Sequence, residues 1–265
     1  MPARMLRRYE GLSYLEPSEG SKREINKCGN TFTPRVSAAT LGLVAALLAL
    51  AAAHAAHAEP QAYRPVGAAP GSPGNSVDVP YTFGTHHFEV REVRGLVRVE
   101  WSETPVVTGK LSAPLAALRG GGDTLECHLR ESLGIDYSRS AFPGAHVCSD
   151  GRLPASGNDA VAYPEISFEI TGVVARGGRF PVVAGRRIPV VILGRWTIHG
   201  VSHDDRIEAN LTLTLDAAAR PRTVRLEATR KVRLSDYGIV VKRALVITAG
   251  EEATVRLNLV LVVSG

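Results

Sequence analysis

The sequence predicts an all-β protein: an antiparallel β-barrel of about eight strands, one short capping helix, and an N-terminal signal segment ahead of it. Three observations carry that expectation. Apolar and polar residues alternate through most of the chain after Pro80. One stretch breaks this rhythm with leucines every fourth residue. An uncharged Ala/Leu run lies within the first fifth of the 265 residues.

The leader comes first. Val36 to Ala53 holds no charged residue, Arg35 precedes it, and Ala56-His57-Ala58 follows the run "LGLVAALLALAAAHAAHA" as a small-x-small site. That layout is a secretory signal peptide cleaved near Ala58. A retained membrane anchor is the competing reading, since the run approaches the ~20 residues that span a bilayer. Residues 1–58 hold seven of the 31 Lys and Arg and four of the 26 Asp and Glu. The remainder has 24 basic against 22 acidic groups, a net +2. No Lys/Arg block interleaved with aromatics occurs, so a nucleic-acid partner is not expected.

Residues 59–79 are rich in Pro and Gly, lack periodicity, and read as a flexible linker. Residues 80–265 then form one domain. Within it, "VRVEW" puts Val97, Val99 and Trp101 on one face. "EISFEIT" does so with Ile166, Phe168 and Ile170. "IEANLTLTL" sets Ile207, Ala209, Leu211, Leu213 and Leu215 against Glu208, Asn210, Thr212 and Thr214. "VRLEATRKV" and "VRLNLVLVV" repeat the pattern, and further segments lie near 86–93, 106–112, 190–198 and 239–248. Period two with one buried face specifies antiparallel strands. Closing such a sheet removes its edges, and about eight strands enclose just enough space for side chains or one small ligand. A two-sheet sandwich writes the same alternation on its inner faces, so period alone does not separate the two.

In "GGGDTLECHLRESLG", Leu125, Leu129 and Leu133 form one apolar stripe. Asp123 is expected to cap this helix, Glu126 to reach back, and Gly134 to stop it. Cys28 leaves with the leader, so Cys127 and Cys148 are an even pair in an exported chain. Their disulfide would pin the helix to the following loop and contribute about 3 kcal/mol by loop closure. Two free buried thiols are the alternative.

Four motifs in order now carry a resemblance: His128-Leu129 on the helix; Tyr163-Pro164 before Ile166 and Phe168; Thr197-Ile198-His199-Gly200; and Ser235-Asp236-Tyr237-Gly238-Ile239. Together they resemble the YceI-like family of exported polyisoprenoid-binding proteins. The resemblance implies a lipocalin-like barrel in the bacterial periplasm, enclosing an isoprenoid-type lipid such as a polyprenyl phosphate or a quinone tail. Leu234 stands where the family often has Arg, and Ser202-His203-Asp204-Asp205 replaces its usual Thr-Lys or Thr-x-Pro stretch. "ARGGRFPVVAGRRIP" also reads as a longer hairpin than the family's.

The expected ligand wall is Val99, Trp101, Ile166, Phe168, Ile170, Trp196, Ile198, Leu211, Leu213, Leu257 and Leu259. Arg230 falls in register with Val224, Leu226 and Ala228 and is the candidate partner for a phosphate head; a strand-end Arg reaching for water is its plainer role. No metal is expected: adjacent His86 and His87 face opposite ways in a strand, and no Cys/His spacing fits zinc. Ser202-His203-Asp204 spells a triad, but consecutive residues seldom converge on one point. No nucleophile elbow or Gly-rich phosphate loop is present. The expectation is a lipid carrier with no cofactor and no catalysis, in transient contact with a membrane. The alternative is a ligandless envelope interaction domain. Export of the full chain should yield a mature protein that begins at Glu59, read by intact mass and N-terminal sequencing; a product retaining residues 36–53 would contradict cleavage.

Overall fold

In the computed structural model, residues 59–67, 73–142, 147–148, 152–240, 243–244 and 247–264 are described; the expected signal segment and its cleavage site lie outside them. The chain runs β1 (Gln61–Val66), β2 (Asn75–Tyr81), β3 (Gly84–Val90), β4 (Arg94–Glu100) and β5 (Val106–Pro114). A 3-10 turn at Leu115–Ala117 leads to β6 (Leu118–Arg119) and α1 (Asp123–Gly134). Then come β7 (Glu165–Ala175), β8 (Arg187–Ile198), β9 (Val201–Leu215) and β10 (Pro221–Arg233). A 3-10 turn at Leu234–Tyr237, the short pair β11 (Arg243–Ala244) and β12 (Ile247–Thr248), and β13 (Glu252–Val263) complete it.

Eight of these strands form a ring in the order β1-β4-β5-β7-β8-β9-β10-β13, with β13 returning to β1. Every pairing in it is antiparallel. The barrel is therefore closed, and the sandwich is excluded. Closure is made twice along one edge of β13. Val260–Val263 pair with β1, whereas Thr254–Arg256 pair with β2, which continues through β3 to β6. Between the two contacts the Asn258 amide donates to Asn75 Oδ1, which bridges the gap.

Residues 59–79, expected as a linker, thus supply β1 and the start of β2. Pro65, within this range, sits inside β1, and neighbouring Pro80 inside β2. Among the described residues of the segment near 239–248, β11 and β12 pair with each other and not with the barrel.

Alternation puts the apolar set inside, and one end of the barrel is filled by side chains. Val99, Leu211, Leu213, Val224 and Leu261 are buried there. Tyr63 is 0% exposed, with Trp101 edge-on at 6.1 Å and Phe180 beyond it at 5.6 Å from Trp101. The Tyr63 hydroxyl donates to the Pro221 carbonyl at 2.7 Å and accepts from the Trp101 indole at 2.9 Å. This plug ties β1 to β10 and to the end of β4.

The helix α1 covers the opposite end. Leu125 and Leu129 pack against Val79, Phe88 and Ala253, and Leu133 joins the main core. Asp123 is not the cap: Gly122 is, with φ 84°, and no side chain bonds the first turn. Glu126 does reach back, to the Gly120 amide at 2.9 Å. Removing the Tyr63 hydroxyl (Tyr63→Phe) should cost about 1–3 kcal/mol, because the half-buried Trp101 N–H and the buried Pro221 carbonyl lose their partner. Urea unfolding checks this, and an unmoved midpoint would contradict it.

Candidate functional site

Tyr163 and Pro164 launch β7. The Pro164 carbonyl accepts from Leu115, and the Ala162 and Tyr163 amides donate to the Gly134 carbonyl at the end of α1. The Tyr163 ring lies over the β8–β9 turn, where a Cβ on Gly200 (φ 75°) would sit 2.4 Å from it. The same ring meets His199 edge-on at 4.8 Å. His199 is buried at that turn, with Nε2 2.7 Å from the Ile135 carbonyl and Nδ1 3.2 Å from the Tyr237 carbonyl. It clasps the end of α1 to the 3-10 turn after β10. His203 points Nε2 at the Asp236 carbonyl. Both histidines pair with backbone carbonyls.

Below this cap lies a cavity of about 460 Å³. Its wall comes from β7 and β8 (Ile166, Phe168, Ile170, Ile192, Trp196, Ile198), β13 (Val255, Leu257, Leu259) and the leucine stripe of α1. Phe168, on this wall, packs over Gly194 of β8. A Cβ there would stand 2.5 Å from the Phe168 ring and 2.3 Å from the Glu169 carbonyl, so glycine lets Phe168 lie flat against β8. The polar lining is sparse: Asn75, His86, Ser112, Thr124, His128 and Ser132. Among the described residues no Lys, Arg, Asp or Glu lines it. Such a wall binds by excluding water from hydrocarbon.

Seven expected wall residues therefore line the cavity: Ile166, Phe168, Ile170, Trp196, Ile198, Leu257 and Leu259. Five do not. Val99, Trp101, Leu211 and Leu213 belong to the filled end; alternation gives the face of a strand but not its height along the barrel axis. Arg230 is exposed. Pairing between β9 and β10 stops at Ala209↔Ala228, and beyond it Arg230 spans to Asp205 with bonds of 2.9 and 2.8 Å. Its anion is a carboxylate of the chain itself, which corrects its assignment to a phosphate head. Tyr237, near this pair, has its phenol pushed up to about 12 by burial and by the Asp205 charge.

The triad spelled in the sequence disperses. Ser202 Oγ pairs with Thr197, His203 with Asp236, and Asp204 with Arg195.

Sequence reasoning missed Glu131. It is 0% exposed on α1 and accepts from the Val147 and Cys148 amides at 2.7 and 2.8 Å, with His128 Nδ1 3.2 Å away. The Cys127–Cys148 disulfide, Cα atoms 5.9 Å apart, lies beside it. Cys127, Glu131 and Cys148 are grouped closely enough to hold a metal, but the disulfide engages both sulfurs. Carboxylate and disulfide jointly fasten the loop to the capping helix. The spacing Cys127 to Glu131, one helical turn, was the available signal.

Glu126 anchors the other end of α1 through Arg119, Arg130 and the Gly120 amide. Burial pushes its carboxyl up, but these partners outweigh burial and hold it below the usual range. Its contribution is complete above the ordinary glutamate pKa of ~4.3 and lost as pH falls below it. Glu126→Gln should cost about 1–3 kcal/mol at pH 6 and flatten the loss of stability between pH ~5 and ~3, as read by denaturant unfolding across pH. Parallel acid slopes in the two proteins would contradict this.

Residues 149–261 match the profile of the YceI-like domain. No curated protein matches the sequence. Among solved structures, the chain is similar to a polyisoprenoid binding domain from Saccharophagus degradans implicated in plant cell wall breakdown. Identity is 11%, covering 77% of this chain and 99% of that one, with a TM-score of 0.49. BcnA of Burkholderia cenocepacia is also 11% identical, over 72% and 96%, with a TM-score of 0.44. The Campylobacter jejuni YCEI protein is 11% identical over 67% and 84%, with a TM-score of 0.43.

Proposed function

We propose that this chain, which carries a YceI-like domain, is an exported carrier that shields the tail of an isoprenoid-type lipid inside its barrel. The observation that carries the reading is the cavity: about 460 Å³, walled by hydrocarbon, within a closed barrel whose other end is solid. Ligand sites commonly measure ~300–1,000 Å³, so the space suits several isoprene units of a longer chain. At ~0.8 kcal/mol per buried CH₂, about fifteen carbons give ~12 kcal/mol. Ordering costs that leave ~8 kcal/mol correspond to micromolar binding. No group in the wall has to react for this, and the YceI-like domain is a binding family, in keeping with a non-enzymatic role. The sparse hydroxyl and imidazole lining leaves the lipid's head to be met at the mouth.

Native mass spectrometry after gentle purification of the exported protein should show a stoichiometric isoprenoid lipid. Ala113 lines the cavity, so Ala113→Phe fills it from within and should abolish lipid uptake while the protein still unfolds cooperatively. A protein that arrives empty and takes up no added polyprenol would overturn the carrier reading.

A further inference from the structure

Phe83 is the most exposed large apolar side chain among the described residues, at 67%. It occupies the tip of the β2–β3 hairpin, in the turn Tyr81-Thr82-Phe83-Gly84. Turns of this kind favour Gly, Asn and Asp, so the turn itself does not call for an aromatic ring. The hairpin is continuous with the cavity. Tyr81 and His86, which flank the turn, stack at 4.0 Å and both line the cavity wall, and Phe83 meets Tyr81 edge-on at 6.5 Å. Val240 also lines the cavity and is 45% exposed, so the wall there reaches the surface. A chain of ring contacts therefore leads from the cavity wall through Tyr81 to Phe83 at the hairpin tip.

We propose that the β2–β3 hairpin is a membrane-docking wedge, with Phe83 entering the bilayer surface so that lipid passes between membrane and cavity without crossing water. The inference rests on the carrier reading, since a water-insoluble tail must be delivered at the mouth. A bilayer fits this surface on chemical grounds. Tyr81 and His86 each present an apolar body and a polar edge, the type of side chain that sits at headgroup level, while a phenylalanine beside them reaches the acyl boundary. One inserted ring gives weak and reversible attachment, which suits a carrier that must leave again.

The test compares the purified protein with its Phe83→Ser variant in taking up a fluorescent polyprenol from phosphatidylcholine vesicles. The same polyprenol delivered from cyclodextrin reports cavity binding without a membrane. Burial of one Phe corresponds to about tenfold or more, so uptake from vesicles should slow by at least about that factor while cyclodextrin-delivered binding stays unchanged. A Phe83→Trp variant should keep the wild-type rate and show a blue-shifted emission on adding vesicles. Equal vesicle uptake by wild type and Phe83→Ser, or no spectral shift in Phe83→Trp, would overturn the wedge and leave the carrier standing. Failure of the wild type to bind polyprenol from cyclodextrin would instead overturn the carrier reading on which the wedge depends.

Discussion

Ring closure along β13 is the constraint on which the rest depends. One edge of that strand pairs along its length with β10, while the other is divided between β1 and β2. Were either half unpaired, a row of backbone amides and carbonyls would face water beside the most apolar strand of the chain, an invitation to aggregation. With both halves paired, the inner faces of eight strands see only one another. The division also sets the two ends apart: β1 brings Tyr63 to the filled end, and β2 brings Val77, Val79 and Tyr81 to the hollow one.

The two ends embody opposite solutions to the same hydrophobic pressure. At the filled end Tyr63, Trp101 and Phe180 interlock, and their polar atoms satisfy each other and the Pro221 carbonyl. At the hollow end apolar residues on β7, β8 and β13 surround a volume of about 460 Å³. An empty apolar cavity forfeits dispersion contacts with its lining. The cap tolerates that loss because it is fastened from several directions: the disulfide and Glu131 on one side of α1, Glu126 at its start, and His199 at its end.

Much of this was legible in the sequence. Period-two alternation located most barrel strands and their inner faces, and the spacing of Leu125, Leu129 and Leu133 located α1 and its buried stripe. The pairing of Cys127 with Cys148 followed from removing Cys28 with the leader. What was hidden has physical causes. β1 and β2 are short strands among prolines and glycines, so their membership of the barrel comes from tertiary pairing rather than local preference. Val99 and Leu213 carry the same pattern as Phe168 and Leu257, and only the three-dimensional height of each residue distinguishes plug from cavity. Arg230 obeys the inward parity of β10 up to the point where β9 and β10 separate, and no local signal marks that separation. The role of Asp123 failed because Gly122, at a positive φ, takes the cap position itself.

The exterior adds little specificity of its own. Its ion pairs are mostly exposed, as with Lys110 and Glu165 or Lys231 and Glu252, and pairs of that kind are worth little in water. Within the carrier reading, recognition of the lipid tail is a matter for the interior. The most direct measurement is a set of nuclear Overhauser contacts between a bound isoprenoid's methyl groups and methyl-labelled protein. The account predicts contacts to Ile170, Ile198, Leu257 and Leu259 and none to Val99, Leu211 or Leu213. Contacts confined to the outer surface, or spread equally over both groups, would contradict it.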